Sequence, residues 1–467
     1  MRRNKYILLF AVVGLLSLTL ACKKEFLEAK PSTQIVMPKT LDELQKLLDN
    51  PEVLNVSTGL GVLSADEYRY TTDATWTAAR SVTARNAYIW AKDLYEGQDS
   101  PHWNQPYSAI FYANNILVNV AEIPVTPLNQ QQWNDIKGAA LFTRAFAYYE
   151  LVNNFANFYE PATATTDLGV PLRLKPSIDV MEQRASVAKT YDQIFTDLVQ
   201  ARQLLVDQPP MGRTRPSVAA VHALLSRIYL NQRRYPEAER HADSCLQLYS
   251  KLIDYNGLSK TSQYPFDYNH DEVIYSKRAV NDASYSTSTN NTVIQVSDEL
   301  IGLYGVNDLR LAIFFKKQAD GTYDMKGGYS GPGLYPFIGL ATDEVLLNKA
   351  ECLARKGEAT AAMLVLDQLL IKRWNAALST PAQPYQPATA QNTIAAIDRV
   401  LLERRKELVW RNNRWDDIKR LNKEGRNIAL TRTLQGKVYS LAPNSRAYVF
   451  PIPENEISLS GIEQNIR

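Results

Sequence analysis

The stretch "SVAAVHALLSRIYLNQRRYPEAERHADSCLQLY", residues 217–249, constrains this chain more than any other. Val221, Leu224, Leu225, Ile228 and Tyr229 recur at helical spacing and make one apolar stripe. Ala238, Ala242, Cys245, Leu246 and Tyr249 make a second. Small residues on such stripes let two helices approach closely, so the stretch predicts a helical hairpin. Residues 343–371 repeat the arrangement, with Ala350, Leu353, Gly357, Ala362 and Leu366 at matching offsets. One hairpin cannot bury its own apolar face, so several must stack.

Against the tetratricopeptide pattern, Ser226 takes the small position and Tyr229 the aromatic one. Tyr235 takes the turn, and Ala238 the small contact on the second helix. Further helices are predicted where Phe142, Ala145, Phe146 and Tyr149 share a face, and over Tyr191–Leu205. Thr40-Leu41-Asp42-Glu43 reads as a capping box opening a helix from Leu41 to Leu48, ended by Pro51. Residues 55–100 show no sustained period. Residues 255–340 interrupt the helices with strand-like, turn-rich sequence, and a stretch that long inside one domain is expected to carry function. Residues 379–393 form a polar, Pro-rich loop. The last helix is placed at Ala396–Arg411, where Glu403 and Glu407 share a face; ion pairs locking helix to helix are expected there rather than an acid/base dyad. "AYVFPIPENEI" reads as a short strand entering a Pro-bounded turn.

The N-terminus fixes location. Arg2, Arg3 and Lys5 precede the apolar run Ile7–Leu20, which has signal-peptide length and falls short of the roughly 20 residues of a membrane span. Thr19-Leu20-Ala21-Cys22 resembles a bacterial lipobox, with Thr19 departing from the usual Leu. Residues 1–21 are therefore expected to be a lipoprotein signal peptide, and Cys22 the acylated first residue of a single domain, 22–467. Lys23-Lys24-Glu25 resembles the charged run after the lipidated cysteine of surface-exposed lipoproteins. No later segment has 18 uninterrupted apolar residues, so the mature chain is expected to be anchored in outer-membrane lipid and not to span it.

Several chemistries are disfavoured. The chain has 52 Lys and Arg against 49 Asp and Glu, and loss of the three basic residues of the signal leaves 49 of each. No basic surplus points to nucleic acid. Cys245 and Cys352 lie on apolar helix faces and are expected to be buried free thiols. Asp267-Tyr268-Asn269-His270-Asp271 imitates a calcium loop, but Glu272 replaces the turn glycine and Arg278 the final Glu. The four histidines lack metalloprotease spacing, and no nucleophile-elbow, phosphate-loop or dinucleotide glycine pattern occurs. Asp66-Glu67 and Asp416-Asp417 show no reason for one carboxyl to hold a proton. No catalytic group, cofactor or metal is expected.

A set of segments in fixed order carries a family resemblance. "FLEAKPSTQIVMPKTLDELQKLLDN" is followed by "WNQPYSAIFYANNILVNV", "KGAALFTRAFAYYELVNNF" and "GVPLRLKPS". The repeat helices come next, then "LLERRKELVWRNNRWDDIKRL" and "VFPIPENEISLSGIEQN". The series resembles the SusD/RagB family of outer-membrane nutrient-binding lipoproteins. The resemblance implies a mostly all-α fold of four tetratricopeptide-like helix pairs with minor short strands. Segments near 55–100 and 255–340 would form its ligand-binding half. It also implies a non-enzymatic role: capture of a glycan, or sometimes a peptide, at the cell surface and delivery to a SusC-like TonB-dependent transporter. The alternative is a tetratricopeptide-type surface scaffold for protein or peptide ligands, which an open concave helical face would favour.

Sugar recognition needs flat apolar faces for pyranose rings, which Tyr and Trp supply at low entropic cost. Tyrosine is abundant, at 26 residues, and two non-helical regions concentrate it together with Trp. From the first, which also holds Tyr88, the candidates are Tyr68, Tyr70, Trp76 and Trp90. From the second, which also holds Tyr268 and Tyr304, they are Tyr285, Tyr323, Tyr329 and Tyr335. Trp76 and Tyr329 lead, because Thr/Ala and Gly neighbours make weak cores. Trp103 opens a regular helical face and is expected to be packing. The balanced net charge favours a neutral sugar unless a local basic patch reverses it.

Overall fold

Side-chain caps set where the long helices begin. The computed structural model describes residues 38–177, 179–282, 285 and 291–467; the signal segment and Cys22 lie outside them. The helices of eight or more residues are α1 (Leu41–Leu48), α2 (Pro101–Ala121), α3 (Gln130–Phe155), α4 (Val187–Leu204), α5 (Val218–Asn231), α6 (Tyr235–Leu248), α7 (Thr342–Arg355), α8 (Ala359–Leu370), α9 (Thr393–Glu407) and α10 (Asn413–Lys423). Ser186, Ser217 and Asn392 accept the N–H groups of Lys189, Ala220 and Ala395, which opens α4, α5 and α9. Prolines in the first turns of α2 and α6 cost nothing, since those N–H groups have no helical acceptor.

The helices pack in series: α2 on α3, α3 on α4, α5 on α6, α6 on α7, α7 on α8 and α9. Alanines make the close contacts. Ala238 and Ala242 on α6, Ala350 on α7 and Ala362 on α8 are fully buried, as the repeat pattern predicts. Ser226 is buried where α5 meets α7, and its Oγ accepts from the Asn348 amide at 3.2 Å. A Cβ on Gly138 of α3 would stand 2.8 Å from Leu205, so only glycine permits that approach. Cys245 and Cys352 are free and buried. The all-α, paired-helix architecture expected from the repeats is the one observed, and Leu41–Arg467 is one compact unit.

Buried ion pairs run through the stack. Arg227 of α5 meets Glu344 of α7 at 2.5 Å, Arg420 of α10 meets Glu351 of α7 at 2.5 Å, and Arg404 of α9 meets Asp417 of α10 at 2.8 Å. Glu403 and Glu407 join this network as expected: Arg310 reaches them at 2.5 and 3.1 Å. Removing one member of such a pair leaves an uncompensated buried charge, at a cost of about 3–5 kcal/mol.

The two loop-rich regions meet each other. Strand β1 (Tyr68–Tyr70) pairs antiparallel with β2 (Ile294–Val296), and β3 (Phe315–Lys317) with β4 (Tyr323–Met325). Val273–Tyr275 pairs with Leu340–Ala341, and the Tyr275 ring stands 4.9 and 6.0 Å from Phe142 and Phe146 of α3. The Val273–Lys277 part of the 255–340 insertion therefore lies on α3, where Lys277 also meets Glu150 at 3.0 Å. Two expectations change. The chain leaves α9 at Glu407, not Arg411, because it turns through Trp410 and Asn412, at φ of 61° and 66°, before α10. "AYVFPIPENEI" forms no strand: Arg446–Tyr448 is a 3-10 turn and Glu454–Ser460 a helix. Pro451 and Pro453 offer no N–H to a ladder.

Candidate ligand-binding cavities

Most of the rings singled out in the sequence lie in the interior. Period-two alternation turns Tyr68 and Tyr70 inward and leaves Arg69 outside. Tyr70 packs edge-on against Tyr88 at 4.8 Å, and the Tyr68 hydroxyl donates to the Leu63 carbonyl at 2.9 Å. The Trp90 indole donates to the Ser64 carbonyl at 3.0 Å. Arg432 lies 3.6 Å over Tyr88 and 4.7 Å over Trp90, and donates to the carbonyls of Ser64, Ala65 and Tyr88. Tyr285 is fully buried, with its hydroxyl on the Val280 carbonyl.

Trp76 and Tyr329, expected outside, are buried at 9% and 3% exposure. Their sequence neighbours do make weak cores, but distant segments cover them. Trp76 donates to the Arg85 carbonyl at 3.1 Å and faces Tyr439 on the strand Lys437–Leu441, which pairs antiparallel with Leu430–Leu434. Arg411 sits 3.8 Å above the Tyr329 ring, Phe266 and Phe337 flank it, and its hydroxyl donates to Glu272. Trp103 is packing, as expected. Tyr335 is half-buried beneath the Arg278 guanidinium, and Tyr323 is half-buried at the start of β4.

Tyr323 is the candidate that reaches an open cavity. This cavity encloses about 540 Å³, with Val306, Leu311, Phe315 and Leu378 among its apolar lining. Asp308 is shared with a second cavity of about 480 Å³, where Trp374 and Tyr385 present their rings 6.1 Å apart and inclined by 64°. Both volumes suit a small ligand, for which roughly 300–1,000 Å³ is usual. The rings of the second cavity are held in place. Trp374 donates to the Gln383 carbonyl at 2.8 Å and shares a backbone bridge with Asp308. The Tyr385 hydroxyl donates to Asp367, which also accepts the Ala388 N–H at 2.8 Å. Sequence reading missed both residues. The signal was the 379–393 loop, which stations Tyr385 between Pro384 and Gln386 beside the scaffold. A third hollow of about 440 Å³ beside α1 is lined by Leu48, Leu54 and Val206; its ring, Tyr275, is sealed inside and offers no stacking face.

Electrostatics decide what these cavities can do. Arg310 holds Asp308 at 2.7 Å and Glu403 at 2.5 Å, and Lys406 holds Asp308 at 2.6 Å. Burial pushes both carboxyls upward, but Arg310 and then Lys406 outweigh it and hold them below the usual range. Neither is placed to carry a proton at neutral pH. Glu67 differs from the sequence expectation: burial pushes its carboxyl up to about 8, opposed chiefly by the Trp410 N–H at 3.1 Å. It lies in the interior and borders neither cavity. Glu272, Asp343 and Glu407 bring carboxylate oxygens within 4.8 Å of one another, the one such acidic group among the described residues. Arg373 meets Glu272 at 2.9 Å and Glu407 at 2.8 Å, and Arg411 meets Asp343 at 2.7 Å. The guanidiniums already supply the positive charge a cation would bring.

Known proteins bear on this arrangement. A family model described as starch-binding associating with outer membrane matches residues 25–230, and the SusD family model matches residues 268–466. SusD-like protein P2 of Formosa agariphila is 29% identical over 146 residues, 31% of this chain and about a quarter (26%) of that relative's length. A putative sugar binding protein of Bacteroides vulgatus superposes with a TM-score of 0.74 at 21% identity, covering 92% of this chain and 99% of its own. A SusD superfamily protein of Bacteroides thetaiotaomicron gives 0.73 at 22% identity, with 92% and 100% covered. A laminarin binding SusD-like protein gives 0.64 at 18% identity, with 90% and 97% covered.

Proposed function

From the premise that this chain belongs to the SusD/RagB family, we propose that it is a surface lipoprotein that binds a glycan without cleaving it. It is anchored through acylated Cys22 and delivers the glycan to a SusC-like TonB-dependent transporter. The observation that carries the reading is the pair of cavities sharing Asp308, bordered by Tyr323 on one side and Trp374 and Tyr385 on the other. Three partly exposed rings over apolar lining match the amphipathic faces of a sugar chain. Their support is tied to α9 by buried ion pairs: Arg310, shortly before β3, meets Glu403, and Arg373, next to Trp374, meets Glu407. A non-catalytic role is supported by Asp308 and Glu403. Both are held ionised, and glycoside cleavage needs one carboxyl that keeps its proton. Among the described residues no helix is long and apolar enough to cross a membrane, which accords with an anchored chain.

The scaffold alternative asks for an open helical face. The packing of Tyr275 and its strand against α3 weighs against it.

The test is a glycan microarray followed by calorimetry on the tightest ligand. Trp374→Ala and Tyr323→Ala are each expected to weaken binding about tenfold or more, with melting temperatures within a few degrees of the parent, since both rings are partly exposed. Full affinity in both variants would remove the cavities from the site. Release of reducing sugar by the pure protein would overturn the non-catalytic reading.

A further inference from the structure

The Tyr323 cavity is cationic, although the charges of the chain nearly balance, with 52 Lys and Arg against 49 Asp and Glu. The Tyr323 cavity is bordered by Lys260, Lys316, Lys317 and Lys326, against a single acid, Asp308. That acid is already engaged by Arg310 and Lys406. Lys316 faces Asp324, but among the described residues Lys260, Lys317 and Lys326 have no carboxylate within ion-pair distance. The Lys326 ammonium is pinned in place, donating to the carbonyls of Ala312 at 2.7 Å and of Lys260. Across Asp308, the second cavity adds no surplus: its Arg310, Arg373, Arg399 and Lys406 are met by Asp308, Glu403, Glu407 and Glu272. Arg399 is bound to Glu403 at 3.2 Å, yet its side chain stays 41% exposed at the rim.

Like charges gathered on one concave surface repel one another and cost stability unless something bound there offsets them. A cleft of one sign with low-dielectric walls also focuses the field on its ligand. From this juxtaposition of partly exposed rings and surplus ammonium groups, we infer that the ligand is an anionic glycan, whose acidic groups, carboxylate or sulfate, are met by Lys260 and Lys317 while its ring faces lie on Tyr323 and Trp374. This rests on the glycan-binding reading above, and it reverses the preference for a neutral sugar that net charge alone suggests. Net charge averages over the whole surface, whereas a ligand samples only the cleft.

The probe is an array of neutral β-glucans and xylans, uronate-bearing polysaccharides and sulfated polysaccharides, followed by calorimetry with an oligosaccharide of the strongest hit at about 50 and 300 mM salt. The expected result is at least tenfold tighter binding of an anionic probe than of neutral chains of equal length. Its affinity should fall several-fold at the higher salt. The uronate and sulfate arms show which acidic group is read. The double substitution Lys260→Ala/Lys317→Ala is expected to lower affinity for the anionic probe about tenfold, with little change in melting temperature. Tyr323→Ala should also weaken it, which a diffuse attraction of polyanions would not require. Tight, salt-insensitive binding of a neutral glycan, untouched by the double substitution but lost in Trp374→Ala, would overturn this inference and leave glycan binding standing. Absence of any glycan binding would overturn both.

Discussion

At the scale of single residues, exposure separates rings that build the protein from rings that can meet a ligand. Tyr68, Tyr88 and Trp90 surround Arg432, whose guanidinium donates to the buried carbonyls of Ala65 and Tyr88 and shares that of Ser64 with the Trp90 indole. Glu67, nearby, is the group whose ionisation the fold opposes. Its carboxyl keeps a proton up to about 8 in the folded chain, against an ordinary value near 4.5. Between those values the folded state binds a proton that the unfolded state has lost, so stability falls as pH rises through the window. Glu67→Gln is expected to remove that falling limb. Its melting temperature relative to the parent should rise between pH 5 and pH 8, by the equivalent of about 3–4 kcal/mol. A constant difference across that range would mean that Glu67 titrates normally.

At the scale of elements, the helix pairs depend on tight joints. Gly357 joins α7 to α8 at φ +92°, and a Cβ there would meet nothing nearer than Thr393 at 3.9 Å. The space is open, so the cost of a side chain is conformational. Gly357→Ala is expected to destabilise by about 1 kcal/mol, read by denaturant titration, without loss of binding. Such hairpins were legible because their signal is local: Ala238 and Ala242 recur within α6, and Ala350 and Ala362 sit a short turn apart on α7 and α8. Helix starts were legible for the same reason, since Ser217 and Asn392 act on N–H groups three residues away. The end of α9 was not. It depends on left-handed turns at Trp410 and Asn412, and Asn412 is used 350 residues away, where its Oδ1 accepts the Val62 N–H at 3.1 Å.

At the scale of the whole molecule, a chain of nearly balanced charge carries a cationic cleft on a stack of helices, and the cleft faces its task only if the chain is exported and held at a membrane. Cys22→Ala is expected to move the protein from the membrane to the soluble fraction of its host and to abolish labelling by palmitate. Labelling that persisted in the variant would place the anchor elsewhere. A stably held chain needs more than one acyl group, because a single one gives only marginal binding.

The order of helices, the paired architecture and the family follow from the sequence alone, because helical period, small contacts and caps act over a few residues. The sequence also marked the loop regions where flat rings gather. Which rings stay at the surface was decided by the tertiary structure. Trp76 is covered by Tyr439 and Tyr329 by Arg411, partners 363 and 82 positions along the chain, while Trp374 is left half-open beside Tyr385. Burial of a loop side chain is a property of what folds over it, and charge in a cleft is a property of what converges there. Neither is written in the residues next door.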